Sequence, residues 1–343
     1  MYVNRYFGFR IMYFITWRMI LWSLLTGVLA ICSYRYLGWK WVAIPWLPVS
    51  LVGTAVAFYV GFKNNQSYDR CWEARIVWGG IVNLSRSFAA AAKAFIHSST
   101  LSDTEKHAEL QTLLYRHIAW IHALKHSMWQ RTPWEHQYAS SRRQRAYFRK
   151  RIDFSSFEKD AEPLLNPSEF EWIKTKKNKA TQLLEQQSTH LAELADKGSL
   201  SQLRHIDLQR LITEMYNERG RTERIKNFPL PRQYATSSAI FIIIFSWMLP
   251  FGMLQEFEKL GDELIWLLLP FNMLVSWVFS LMEYTGDYSE NPFEGLINDV
   301  PIQTIARNIE IDLRDMLNEK ELPDRIEPKI GVLFSDLAAF VFQ

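Results

Sequence analysis

Four apolar windows, with one long polar block between the second and the third, set the pattern of this chain. Met19–Tyr34, Trp41–Phe62, Ala235–Leu254 and Leu264–Met282 contain no Asp, Glu, Lys or Arg. The last three are long enough to cross a bilayer as helices. The first is short, and the preceding IMYFITW extends it, with Arg18 snorkelling to the interface. Pro45, Pro48, Pro250 and Pro270 fall inside these windows, where neighbouring helices can satisfy the carbonyls that proline frees. The second window runs directly into FKNNQSYDRCWEARIVWGGIVNLSRSF, which predicts one rod leaving the apolar phase as a polar, charged helix.

The links Arg35–Lys40 and Gln255–Glu263 are so short that each pair of windows must form an antiparallel hairpin. Residues from about Lys63 to Arg232 then lie on one side of the membrane, together with both termini. Arg5, Arg10, RRQRAYFRKR (Arg142–Arg151) and KTKKNK (Lys174–Lys179) place that side in the cytoplasm by the positive-inside rule. Glu256, Glu258, Asp262 and Glu263 face outward on this reading. The expected segments are residues 1–62, with the first hairpin; 63–233, a helical cytoplasmic region; 234–285, the second hairpin; and 286–343, a cytoplasmic C-terminal segment. Apolar residues spaced three and four apart predict helices near Thr104–Met128, Ser168–Leu194, Leu200–Lys226 and Gln303–Asn318. No strand-period alternation competes with them, so the fold class is all-α.

Composition agrees with two unlike halves. Fourteen Trp, fourteen Tyr and twenty-two Phe fit helices that cross lipid–water interfaces. A net charge of +3 gives no ground for a nucleic-acid partner, and two cysteines, Cys32 and Cys71, supply neither a disulfide framework nor a Cys-based zinc site. The first residues lack the short apolar core and small-residue cleavage site of a signal peptide, so they are expected to remain on the protein. Walker loops, nucleophile elbows and dinucleotide fingerprints do not occur, and no cofactor is implied. His122 and His126 have the i,i+4 spacing of a helical metal pair, but without an accompanying carboxylate motif they read as an ordinary core or surface pair.

On the second window Ser50, Thr54, Phe58 and Phe62 fall four apart and share a slowly drifting helix face, while Gly53, Ala57 and Gly61 share the face beside it. Small residues let helices pack closely, and the Phe stripe can face lipid or core. Alternatively, small residues let several copies crowd round an axis, and Thr54, Phe58 and Phe62 become rings that constrict a pore and gate it by dewetting. Periodicity does not choose between the two. Lys63, Asp69, Arg70, Glu73 and Arg75 follow at the membrane boundary, where they are either a paired helix surface or the inner mouth of such a pore. The basic runs are solvated faces, or attract anions or anionic headgroups.

GFKNNQSYDRCWEAR (Gly61–Arg75), NERGRTERIKNFPLP (Asn217–Pro231) and ENPFEGLINDVPI (Glu290–Ile302) together resemble the bestrophin family, in its bacterial branch. The resemblance spans about Arg5 to Asn318. It implies a homopentameric ion channel in the bacterial inner membrane, with four membrane helices per subunit and a large helical cytoplasmic region. It places a hydrophobic neck on Thr54, Phe58 and Phe62, with Thr54 where the family usually has an aliphatic residue. It implies a cytosolic aperture near Ser201, with Leu200 and Arg204 beside it. Lys63, Asp69, Arg70 and Glu73 become the inner pore mouth. The acidic calcium clasp of animal relatives corresponds here to Glu294-Gly295-Leu296-Ile297-Asn298-Asp299, whose two carboxylates are few for a hard cation.

The expected function is passive conduction of small monovalent ions along the axis of a homopentamer embedded in lipid, with anions such as chloride favoured because ring edges are electropositive. A monovalent-cation (sodium) channel of the same fold is the alternative. A membrane-anchored scaffold or sensor without conductance is a further one.

Overall fold

The computed structural model describes residues 9–96, 102–136, 156–296 and 298–326. Arg5, both chain ends, the basic run 142–151 and Ile297 lie outside the described residues. Ten α-helices appear among those described, and no strand. They are α1 (Phe9–Ile31), α2 (Trp46–Phe95), α3 (Asp103–Met128), α4 (Phe157–Ala161), α5 (Pro167–Lys174), α6 (Lys179–Asp196), α7 (Gln202–Asn227), α8 (Arg232–Glu258), α9 (Leu268–Asp287) and α10 (Ile302–Met316). Two compact units divide this set at Cys71/Trp72, Phe228/Pro229 and Glu290/Asn291. The segments expected from hydropathy mark changes of composition, whereas these divisions mark contacts, so their bounds differ.

The first unit holds α1, the start of α2, α8 and α9. Four of its helical stretches, Ile15–Tyr36, the rod containing α2, Arg232–Glu258 and Leu264–Asp287, are long and apolar enough to cross a membrane. The prolines mostly avoid the helix interiors. Pro45 precedes α2, and Pro48 and Pro270 lie in first turns, where no intrahelical N–H bond is lost; Pro250 alone of the four sits inside a helix. α1 packs on α8 and α9, and the Asn272 amide donates to the Ser23 carbonyl at 2.6 Å. Where α2 meets α8, a Cβ on Gly53 would come within 2.7 Å of the Phe245 ring, and one on Gly252 within 2.8 Å of Val49. Glycine is required at both because the helices approach too closely for a side chain. Phe245 is also stacked at a tilt on Phe279 of α9, 4.6 Å between centroids.

In the second unit, α3 is the central element and packs against α4, α6, α7 and α10. Its start follows from a capping box: the Ser102 hydroxyl accepts from the Glu105 N–H while the Glu105 carboxylate accepts from the Ser102 N–H. Leu113, Leu114, Ile118, Ile121 and Leu124 then bury one side of the helix, each supplying about 1.5–3 kcal/mol of apolar burial. Several charged residues on α3 are satisfied by pairing. Arg116 holds Glu169 through two bonds at 2.5 and 3.0 Å, and Lys125 donates to Asp160 at 2.7 Å. His126 bonds the same carboxylate at 2.9 Å, and Lys125 donates to His122 at 3.0 Å. The i,i+4 histidines are thus part of an ion-pair network, and no group of three potential metal ligands occurs among the described residues.

The expected helix over Ser168–Leu194 is two helices. Thr175 turns its hydroxyl to the Trp172 carbonyl at 2.7 Å, and Asn178 caps α6 by accepting from the Thr181 N–H at 3.2 Å. Short polar side chains here satisfy the backbone locally and end one helix before the next begins. The last helix stops at Met316, shortly before Asn318, which adopts a left-handed φ of 61°.

Near the start of α10, the buried Asp299 carboxylate closes a turn by accepting the N–H groups of Gly295 and Leu296 at 2.7 and 3.0 Å. Burial, and then the charge of Glu294, push its pKa from 3.8 up to about 7. Between those values the folded protein holds a proton that the unfolded chain releases, so this group's stabilisation fades as pH rises towards 7. Asp299→Asn is therefore expected to gain melting temperature relative to wild type across that window. A difference between the two that stays flat with pH would rule the effect out.

Candidate functional site

The candidate site is built on the outward face of α2. Val49, Gly53, Val56, Val60, Lys63, Ser67 and Cys71 follow one another at three- and four-residue intervals and are all buried. A helix that commits this stripe inward must present the opposite stripe outward. That second stripe is Thr54, Phe58, Phe62, Asn65 and Asp69, all exposed.

Phe58 and Phe62 leave 67% and 64% of their surface uncovered. Thr54 donates its hydroxyl hydrogen to the Ser50 carbonyl at 2.9 Å, so the side chain presents a methyl group and oxygen lone pairs outward. An open groove of about 790 Å³ runs beside the stripe, lined by Gly53, Ala57 and Gly61 of α2 and by Phe245 and Phe279. Gly53 is used in packing within the chain, against Phe245. No atom lies within 4 Å of a Cβ built on Gly61.

The charges expected at an inner pore mouth do not act together. Lys63 is 1% exposed and faces away from the Phe stripe, bonded to Glu283 of α9 at 2.5 Å with Asp287 at 3.9 Å. Glu283 also accepts from Ser238 of α8, so one half-buried carboxylate ties three helices. The expectation for Lys63 is corrected accordingly: its helix position points it into the chain's own core. Arg70 is half-buried and donates to the Glu290 carbonyl at 3.0 Å, and Glu73 is paired with Arg224. Asp69 remains exposed on the stripe, with no hydrogen-bond or ion-pair partner among the described residues.

The expected aperture residues separate in the same way. Leu200 is 2% exposed and belongs to the core of its unit, which corrects its placement on an aperture. Ser201 is exposed as the N-cap of α7, with its carbonyl accepting from the His205 N–H at 2.9 Å. Arg204 is half-buried, its guanidinium 5.6 Å from the Phe95 ring centre and 3.4 Å from the Phe95 carbonyl. Leu203, which was not among the expected aperture residues, sits in the first turn of α7 with 78% of its surface exposed. The sequence signal for it is an apolar residue in a first turn whose other residues, Gln202, Arg204 and His205, are polar.

Glu294 and Asp299 are each engaged by partners of this chain. Glu294 accepts from the backbone and ring N–H of His136 and from the Asn291 amide, while Asp299 is occupied by the turn it closes.

Four membrane-length apolar helices in one unit, joined along the chain to a helical polar unit, define an all-α, multi-pass membrane protein. The model of the Bacterial/Fungal Bestrophin protein family matches residues 3–315, and the chain belongs to that family. A voltage-dependent anion channel-forming protein of Ralstonia nicotianae is 28% identical over 301 residues, covering 85% of this chain and 87% of that protein. The voltage-dependent anion channel-forming protein YneE of Escherichia coli (strain K12) is 26% identical over 298 residues, covering 86% and 83%. A crystal structure of a bacterial bestrophin homologue from Klebsiella pneumoniae superposes with a TM-score of 0.73 at 21% identity, covering 88% of this chain and 98% of that one. At that identity the likeness is one of fold.

Removing one partner of a buried ion pair strands the other, at about 3–5 kcal/mol. Lys63→Met is therefore expected to lower the melting temperature of the detergent-solubilised protein sharply, and adding Glu283→Gln should restore part of the loss. Equal melting temperatures for wild type and Lys63→Met would place Lys63 outside the load on this helix packing.

Proposed function

We propose that the protein is a passive channel for small monovalent ions, with anions such as chloride favoured, formed by a homopentamer in the bacterial inner membrane. The observation that carries the reading is the pair of exposed Phe rings on α2, which continue Thr54 as one stripe. Five copies of that stripe around an axis form a narrow apolar neck that wets poorly and presents electropositive ring edges to an anion. The groove beside the stripe, with its small residues, supplies room for a neighbouring copy. Support also comes from relatives of similar length that are named as voltage-dependent anion channel-forming proteins. Thr54 lowers the apolar character of the outermost ring, and Leu203 is the residue we assign to the cytosolic aperture, in place of Ser201. The second unit faces the cytoplasm, in keeping with its basic run 174–179.

A monovalent-cation channel is the second reading, and Asp69 is the observation that favours it. With Lys63 buried, the first ionised group on the stripe below Phe62 is this exposed carboxylate. Five such groups in a ring attract cations and repel anions.

Reversal potential in planar bilayers under a salt gradient distinguishes the readings. Wild type is expected to reverse on the chloride side of zero, and Asp69→Asn to move it further that way. Reversal on the cation side, abolished by Asp69→Asn, establishes the second reading. Phe58→Ala and Leu203→Ala are expected to raise the current several-fold by widening two constrictions. A protein without conductance is a scaffold or sensor, and currents indifferent to both substitutions refute the pore assignment.

A further inference from the structure

The second unit contains a cavity of about 440 Å³ that the pore reading does not use. It is of the size that small-molecule ligands occupy. Helices α3, α4, α6 and α7 and the turn after α3 all contribute to its wall.

Its charges are unbalanced towards the positive. Four cations line it: Arg131, Lys177, Lys179 and Lys226. Lys226 is buried and neutralised by Glu135, outside the lining. Of the two lining carboxylates, Glu223 is bonded to Arg219 at 2.5 Å, also outside the lining. Glu158 is held below the usual carboxylate range by a hydrogen bond from its own backbone and by other neighbours that include the Lys179 charge. What remains is three cations, Arg131, Lys177 and Lys179, facing one carboxylate. Arg131 and Lys177 have no hydrogen-bond or ion-pair partner among the described residues.

Two uncharged features point the same way. The N-terminus of the 18-residue helix α6 opens on the cavity through Asn178, Lys179 and Ala180. The Asn178 side chain takes up only the Thr181 N–H, so the first N–H groups of the helix and the positive end of its dipole are left for another acceptor. In the wall, the buried Thr132 hydroxyl has no hydrogen-bond partner among the described residues. A buried polar atom in that state costs stability unless something bonds to it. Guanidinium, ammonium, hydroxyl and helix N-terminal donors together are the set that satisfies a phosphate, whose oxygens accept from several directions at once.

We propose that this cavity is a binding site for a phosphate-bearing small-molecule anion, separate from the ion path. Arg131 and Lys177 provide its charge, and Thr132 and the start of α6 provide its shape.

Inorganic pyrophosphate, titrated calorimetrically into the full chain in detergent at constant ionic strength, tests the site. One saturable site per chain is expected, together with a rise in melting temperature. Arg131→Gln/Lys177→Gln is expected to weaken binding about tenfold or more, as loss of charge-assisted bonds does. Arg210→Gln removes an exposed cation elsewhere on α7 and should bind as wild type does. Thr132→Val changes no charge; it should keep or raise the melting temperature of the ligand-free protein while weakening pyrophosphate. Absence of saturable binding overturns the proposal. So does equal affinity in the double variant, or an equal loss in Arg210→Gln, which would reveal only diffuse attraction to a basic surface. Phe58→Ala should leave binding intact, so failure of the pore reading would not disturb this result.

Discussion

A helix can turn only one face inward, and in α2 that choice organises the rest of the chain. Over its first turns the inward face is built from Val49, Gly53, Val56 and Val60, and then, without any change of direction, from Lys63 and Ser67. Keeping the stripe inward past the end of the apolar run forces a charged residue into the interior. Glu283 and Asp287 on α9 and Ser238 on α8 meet that need. A buried charge is tolerated when its partner is also anchored, and here the partner is held from two helices. The ion pair therefore stabilises register more than it adds net free energy: rotate α2 by one residue and Lys63 loses its acceptors.

The same rotation decides what faces outward. Phe58 and Phe62 are exposed because Val56, Val60 and Lys63 are not, and Asp69 joins their stripe for the same reason. Selectivity in the proposed channel is then a contest between two features on one helix face, electropositive ring edges and a carboxylate further along. The closeness of α2 to α8 at Gly53 and Gly252 limits how far that face can turn, since any side chain there would collide with Phe245 or Val49.

The second unit follows a different logic, with α3 buried on most sides and its buried charges paired. Arg116 with Glu169, and Lys125 and His126 with Asp160, let a helix of modest apolar content occupy the centre. Arg131, Lys177 and the buried Thr132 hydroxyl share the lining of one cavity, and that shared position gives them a common chemistry.

Hydrophobic windows, short links and three- and four-residue spacing made the all-α class, the four membrane-length helices and most helix bounds legible from residues alone, because each depends on neighbours within a few positions. The helix expected over Thr104–Met128 shows this, whereas the break that Asn178 makes inside the expected Ser168–Leu194 helix went unread, because a cap competes with a continuous apolar period. The stripe Thr54, Phe58, Phe62 was equally legible as a stripe, since it follows from helix geometry. What the sequence by itself did not contain was the identity of the facing residues. Lys63 and Asp69 look alike in a row of boundary charges, and only the position of Glu283, some two hundred residues away, separates the buried one from the exposed one. Leu200 and Leu203 are both leucines at the start of a helix, yet one fills the core and the other lies open, because a shift of three residues near a helix N-cap changes which element stands opposite. Periodicity fixes which residues share a face; tertiary packing alone assigns that face to core, to solvent or to a cavity.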